Sequence, residues 1–161
     1  MARCGIVAAI VGAISACGEP TPEFSGVGKY RIGSTTRADV KDGRCDPTDI
    51  EGGTRKATWC YGMASYKIAN RVAQIELYFE GTEPTGPLIE MQLTIRGCLE
   101  QDLDAWMRTN FGPPIETRAE RAYWKTSVLW AAALMPSEPG RCRVHFLPLS
   151  ETREIERIHK E

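Results

Sequence analysis

The sequence predicts an α+β fold in which two tandem helix-plus-antiparallel-sheet halves form one domain. Residues 72–79 and 89–95 alternate apolar and polar side chains with a period of two, which is typical of strands with one buried face. Residues 99–111 carry apolar side chains at helical spacing instead. The order of a helix followed by strands is expected twice along the chain, and this repetition predicts the two halves.

The first half is expected to contain a short helix, a loop and three strands. Ser34 or Thr35 can cap the helix, and Gly43 suits its left-handed end. Residues 44–54 include Pro47, Gly52 and Gly53, which predicts a loop. Alternation begins at residues 56–61, and a linker rich in glycine and proline then joins the two longer alternating segments as a hairpin.

The second half is expected to begin with the helix at residues 99–111, which ends at Gly112 because two prolines follow. The tail, residues 150–161, places Ile155 and Ile158 among charged side chains, which favours a short helix. Between the helix and the tail, strands are predicted at residues 118–125, 127–134 and 141–147.

The first 16 residues are typical of a secretory signal peptide. One positive charge, at Arg3, precedes a run of apolar and small residues that is too short to span a bilayer. Residues 17–29 contain prolines and glycines among polar residues, which predicts a flexible tether. The folded domain is then expected at residues 30–161, with halves at about 30–92 and 93–149 and the C-terminal tail at 150–161.

The segment Ile14-Ser15-Ala16-Cys17 resembles the lipobox of bacterial lipoproteins, in which the cysteine is lipidated and becomes the first residue. The resemblance implies a lipid anchor on Cys17 and attachment to a membrane. Because Gly18 is not the aspartate that retains such proteins at the inner membrane, it also implies the periplasmic face of the outer membrane. Two alternatives stay open: an ordinary signal cleaved after Ala16, and a buried N-terminal helix in which Cys17 is a small apolar residue.

Four cysteines remain once the signal and Cys17 are set aside. An even number of cysteines in an oxidising compartment predicts two disulfides, and three pairings are possible. Sequential pairing closes the shortest loops and places one disulfide in each half. A zinc site is the alternative, but the spacing lacks a close Cys-x-x-Cys pair. The expected disulfides are Cys45–Cys60 and Cys98–Cys142.

The start of each half has a similar local sequence. Ile32-Gly33-Ser34-Thr35 precedes the first predicted helix, and Ile95-Arg96-Gly97 precedes the second. A helix opened in this way and followed by strands looks like the small envelope lipoproteins of the outer-membrane β-barrel assembly machine. The doubled form, with one disulfide in each half, is similar to the β-lactamase inhibitor protein fold. That resemblance implies two helix-plus-sheet units forming one concave sheet that binds another protein.

Composition and motifs do not favour nucleic-acid binding or catalysis. The net charge of −1 includes no basic surplus, so a nucleic-acid partner is not expected. The two histidines, His145 and His159, lack metal-ligand spacing, and no Gly-x-Ser-x-Gly or phosphate-binding loop occurs. We therefore predict no catalytic residue, no metal and no cofactor. Glu76, Glu80 and Glu90 are interpreted as solvated residues on the polar face of the hairpin.

Aromatic residues on the predicted strands are the main candidates for binding. Tyr78 alternates with apolar neighbours and is expected on the exposed face, where aromatic rings make good anchors for a protein partner. The predicted function is non-catalytic protein binding or scaffolding by a membrane-tethered periplasmic lipoprotein, with inhibition of a hydrolase as the alternative. The candidate binding surface comprises Trp59, Tyr61, Tyr78 and Trp124.

Overall fold

One antiparallel sheet organises the protein. A computed structural model describes residues 24–136 and 140–160, so the predicted signal peptide and Cys17 lie outside the described residues. Nine strands and two α-helices occur in the part described. The strands are β1 (Arg44–Ile50), β2 (Arg55–Tyr61), β3 (Tyr66–Ile68), β4 (Arg71–Glu80), β5 (Leu88–Cys98), β6 (Glu116–Arg118), β7 (Arg121–Lys125), β8 (Leu129–Leu134) and β9 (Gly140–Pro148). The helices are α1 (Glu100–Phe111) and α2 (Thr152–Lys160).

The strands lie in the order β1-β2-β4-β5-β9-β8-β7-β6, and β3 pairs with β4. The predicted hairpin is confirmed as β4 and β5, with Ile75 opposite Leu93. Near the end of this hairpin the register shifts, so that Tyr78 lies opposite Glu90 and Phe79 lies opposite Leu88. Because β5 also pairs with β9, the early and late strands belong to one continuous sheet.

Each side of the sheet is covered by a different helix. The core face carries the apolar residues of β4 and β5, such as Leu77 and Leu93, and α1 contributes Leu103 to the same core. The opposite side, called the open face, carries Tyr78 and the polar residues that alternate with the core residues along β4 and β5. On the open face the isoleucines of α2 pack with apolar residues of β7, β8 and β9: Ile155 and Ile158 with Tyr123, Ala132 and Leu147.

The prediction of two helix-plus-sheet halves is wrong. The first predicted helix is only a 3-10 turn over Arg37–Asp39. Its backbone is engaged by the loop of the hairpin, because Arg37 N–H donates to Gly86 O at 3.1 Å and Ala38 N–H donates to Pro84 O at 2.8 Å. The turn ends at Val40, whose backbone is extended with φ −79° and ψ 104°, so no α-helix follows. The fold is dominated by the sheet, and the helix-plus-sheet unit does not recur.

The predicted loop at residues 44–54 is also wrong, because its first part forms β1 at one edge of the sheet. Cys45 and Cys60 face each other with their Cα atoms only 4.0 Å apart, which is the spacing of a non-hydrogen-bonded pair. Pro47, two residues further along β1, occupies the same kind of position opposite Thr58. Its nitrogen therefore points away from β2, so proline removes no hydrogen bond from the sheet.

The predicted disulfides are confirmed as pairs. Cys45–Cys60 joins β1 to β2, and Cys98–Cys142 joins β5 to β9. The helical tail is confirmed as α2. Across the described ranges, neither helix has the length and apolar character needed to cross a membrane.

Candidate functional site

Three of the four predicted surface aromatics lie together on the open face. Trp59 and Tyr61 follow each other on that side of β2, and Tyr78 of β4 lies directly opposite Trp59. The rings of Trp59 and Tyr61 stack, with centroids 4.2 Å apart and planes inclined by 26°. We call this group, Trp59, Tyr61 and Tyr78, the aromatic patch.

Hydrogen bonds to carboxylates hold the aromatic patch in place. Trp59 Nε1–H donates to Glu76 at 3.1 Å, and the hydroxyl of Tyr61 donates to Asp46 at 2.7 Å. The latter bond is the main cause of a raised pKa of Tyr61. Both rings are only half-buried, so they present rigid apolar area together with a fixed polar edge.

Trp124 is not part of this surface. Its side chain is 1 % exposed and belongs to the core, where Nε1–H donates to Gly112 O at 3.0 Å. Tyr123 and Trp124 are neighbours on β7, so their side chains point to opposite faces of the sheet. Trp124 lies on the core face, whereas Tyr123 lies on the open face beneath α2. The prediction that Trp124 belongs to the binding surface is therefore wrong, because its side chain lies on the core face.

A cleft of about 410 Å³ lies on the open face and shares Tyr78 with the aromatic patch. Its walls come from β1 and the following turn, from β4 and β5, and from α2. The cleft therefore exists only because α2 returns over the sheet next to the first strands. Its lining residues are Thr48, Asp49, Ile50, Glu51, Gly52, Tyr78, Ile89, Glu90, Gln92, Glu151, Glu154 and Arg157.

Glu90 is the most deeply placed carboxylate of the cleft. Its Oε1 accepts hydrogen bonds from His145 Nδ1 at 2.7 Å and from Gln92 Nε2 at 3.0 Å. The side chains of Glu90 and His145 are 10 % and 16 % exposed. The interpretation of Glu90 as a solvated residue is therefore wrong, because β9 brings a histidine beside it.

Arg55 fixes the start of α2 against the sheet. Its guanidinium makes two hydrogen bonds to Glu151, at 2.7 and 3.1 Å, and also contacts Glu80 at 3.2 Å and Glu51 at 3.3 Å. The hydrogen bond to Glu151 is the largest cause of a raised pKa of Arg55. This forked contact with a carboxylate is the geometry that arginine, and not lysine, provides.

The titrating groups at the cleft report a negative environment. Burial raises the pKa of the Tyr78 phenol, and the neighbouring charges of Glu76 and Glu90 raise it further. The pKa of Arg157 is raised chiefly by its hydrogen bond to Glu154, and the charge of Glu90 acts in the same direction. The carboxylates therefore act against a new negative charge and in favour of a positive one, whereas burial disfavours a charge of either sign.

The lining offers binding groups more readily than catalytic ones. Among the described residues that line it, there is no serine, cysteine or lysine to act as a nucleophile. Within the same described part of the chain, no group of three or more histidine, cysteine, aspartate or glutamate residues has the geometry of a metal site. The lining residues can hydrogen-bond a ligand and complement its charge.

Comparisons with protein-family models, with curated proteins and with solved structures found no match to this chain. The function is therefore inferred from the geometry. Sequence reasoning missed the cleft because its residues come from five separate elements, and no local pattern connects α2 with β1 and β5.

Proposed function

We propose that this protein is a cell-envelope lipoprotein that binds another protein on its open face and performs no catalysis. The observation that carries the proposal is the aromatic patch. Its stacked Trp59 and Tyr61 and the adjacent Tyr78 lie on the open face, and Trp59 and Tyr61 lie outside the cleft that α2 lines. Aromatic side chains held rigidly lose little entropy on binding and dominate many protein interfaces.

The open face supports side-chain docking in preference to strand addition. At the β1 edge, which adjoins the aromatic patch, a partner strand would meet Pro47, which has no N–H to offer at the middle of that edge. The aromatic patch, by contrast, lies on the surface of the sheet and is flanked by a cleft that can receive projecting groups. A folded partner with protruding side chains therefore fits this face best.

The proposed lipid anchor is compatible with a free open face. Phe24 is the first described residue, and it packs on the core side, with its ring 4.6 Å from that of Phe111 and 5.7 Å from that of Trp106. The chain thus reaches the domain on the side opposite the aromatic patch. A tether joined there leaves the open face accessible.

Site-specific photocrosslinking tests the binding face. A photoreactive benzoylphenylalanine replaces Tyr61 in the full chain, expressed in its native host, and a matched variant carries it at Gln101, which is exposed on α1. We expect an adduct from position 61 and none from position 101. Equal adducts from both positions, or none from either, would contradict a binding role for the open face.

The identity of the adduct separates scaffold from inhibitor. A membrane-associated envelope protein would support the scaffold role, whereas a soluble hydrolase would support the alternative of a hydrolase inhibitor.

The anchor is tested by the intact mass of the protein purified from the same host. A mature chain that begins at Cys17 and is heavier by a diacylglycerol and an acyl group is expected. An unlipidated chain in the culture medium would contradict the tether.

A further inference from the structure

We propose that the cleft receives the cationic side chain of an arginine or lysine from the protein that docks on the aromatic patch. This inference rests on the proposed function and names the chemistry of the partner. It combines three observations: the surplus of carboxylates at the cleft, the guanidinium already held there, and the wall that cleft and patch share.

Carboxylates outnumber cations around the cleft. Three further cations lie behind the lining: Arg55 contacts Glu51 and Glu151, Lys56 contacts Asp49 at 2.8 Å, and Arg153 contacts Glu51 at 3.8 Å. The side chains of Lys56 and Arg153 are 75 % and 85 % exposed, so solvent screens much of their charge. His145 is hydrogen-bonded to Glu90. The count is five carboxylates, Asp49, Glu51, Glu90, Glu151 and Glu154, against four cations, Arg157, Arg55, Lys56 and Arg153.

The protein's own Arg157 demonstrates that the cleft suits a guanidinium. Its Nε donates to Glu154 at 2.8 Å, and a second nitrogen of the same group also contacts that carboxylate. Each carboxylate has about four lone-pair sites, so one paired arginine does not exhaust the acceptors. A second cation entering from outside would share or replace the contact to Glu154.

The dimensions and lining match a long basic side chain. A volume of about 410 Å³ lies within the range of small ligand sites. Ile50 and Ile89 in the lining provide apolar contact for the methylene stem, while Glu90 and Glu154 provide acceptors for the charged end. Tyr78 belongs to both the cleft and the aromatic patch, so a residue bound in the cleft is continuous with an interface on the patch.

Titration with single amino-acid derivatives tests the chemistry directly. N-acetyl-arginine amide is titrated into the disulfide-bonded domain and followed by backbone NMR shifts of Gly52 and Gln92, with N-acetyl-citrulline amide as the neutral isostere. We expect saturable shifts with arginine and at least tenfold weaker binding of citrulline. Equal affinities, or shifts confined to other surfaces, would overturn the inference.

Two variants with opposite expected effects separate recognition from structural damage. Glu154→Gln removes an acceptor charge and should weaken arginine binding about fivefold. Arg157→Gln removes the competing guanidinium and should strengthen it about fivefold. Glu100→Gln on α1 is the matched control and should change nothing. Weakening by both cleft variants would indicate damage to α2 and would count against the inference.

Spermidine and Ca²⁺ serve as further probes. Binding of either at Gly52 and Gln92 more than tenfold tighter than arginine amide would overturn the assignment to a protein side chain. The two proposals fail separately. Crosslinks at position 61 without arginine binding would reject the cleft inference alone, while arginine binding without crosslinks would reject the docked partner.

Discussion

Trp59 and Trp124 lie in the same sheet, yet they face opposite environments. Trp59 is half-buried on the open face and donates to Glu76, whereas Trp124 is 1 % exposed in the core. Successive side chains of a strand point to opposite faces of the sheet, and this alternation places Trp59 on the open face and Trp124 on the core face. A residue's type alone therefore does not tell an anchor for a partner from a residue of the core.

Alanine substitution should separate these two tryptophans. Trp124→Ala leaves a large cavity and is expected to lower the free energy of unfolding by about 3–5 kcal/mol. Trp59→Ala is expected to lower it by about 1–2 kcal/mol, since Trp59 is only partly buried and leaves no enclosed cavity. Urea unfolding measures both values, and similar losses would contradict the assignment of Trp124 to the core.

Tyr78 should make stability depend on alkaline pH. Its pKa is raised in the folded protein, so the phenol stays neutral in the folded state at a pH where it ionises in the unfolded chain. The stabilising contribution is complete below pH about 10, the ordinary tyrosine value, and is lost as pH rises beyond it.

We expect the free energy of unfolding to fall less between pH 9 and pH 11 in Tyr78→Phe than in the parent protein. Tyr61→Phe is the comparison, since that side chain is more accessible and should show a smaller difference. Unfolding in urea at both pH values measures the effect. An identical fall in Tyr78→Phe and in the parent would show that burial of this phenol does not stabilise its neutral form.

At the scale of elements, β1 shows how a strand accommodates residues that normally indicate a loop. Pro47 is tolerated because its nitrogen points outward, and Cys45 is tied to Cys60 across the pair. The outward position of Pro47 also affects the free edge of β1. Proline interrupts the row of outward N–H groups there, and an uninterrupted row would favour pairing with a strand of another chain.

Replacement of Pro47 should therefore promote self-association. Pro47→Val restores an outward N–H between those of Cys45 and Asp49 and adds a β-branched side chain that suits a strand. Sedimentation velocity at matched concentrations should show more association than in the parent. Thr48→Val is the control, since it makes a similar side-chain change without altering the edge. Equal association of the two variants would reject the blocking role of Pro47.

For the whole molecule, the continuous sheet is joined at β5 and β9, and the disulfides act on this architecture unequally. Cys98–Cys142 spans 44 residues that include α1, β6, β7 and β8, whereas Cys45–Cys60 spans only 15 residues within one hairpin. A longer closed loop removes more entropy from the unfolded chain.

Removal of the long-range disulfide should cost more stability. The double variant of Cys98→Ala and Cys142→Ala is expected to lose about 4 kcal/mol, and that of Cys45→Ala and Cys60→Ala about 3 kcal/mol, from loop entropy. Urea unfolding of both variants beside the parent protein measures the difference. The reverse order would mean that contacts at the β1 edge, and not loop length, dominate.

Local pattern was sufficient for much of the secondary structure. Alternation identified the β4–β5 hairpin, apolar spacing identified α1 and α2, and chain separation favoured the observed disulfide pairs. These features depend on neighbouring residues, whose periodicity is visible in one sequence. The anchor at Cys17 stays a prediction from the N-terminal pattern.

The open face and its cleft were decided by the tertiary structure. Residues 34–41 form only a 3-10 turn at Arg37–Asp39, where the N–H groups of Arg37 and Ala38 donate to the hairpin loop, and Glu90 is buried because β9 places His145 beside it. Likewise, α2 completes the cleft because its isoleucines pack on the late strands and Arg55 binds Glu151, 96 residues away. Sequence alone determined the β4–β5 hairpin, α1 and α2, but it failed at β1 and at the turn over Arg37–Asp39. Contacts between distant segments decided which side chains met, because burial and charge pairing depend on the folded arrangement and not on chain order.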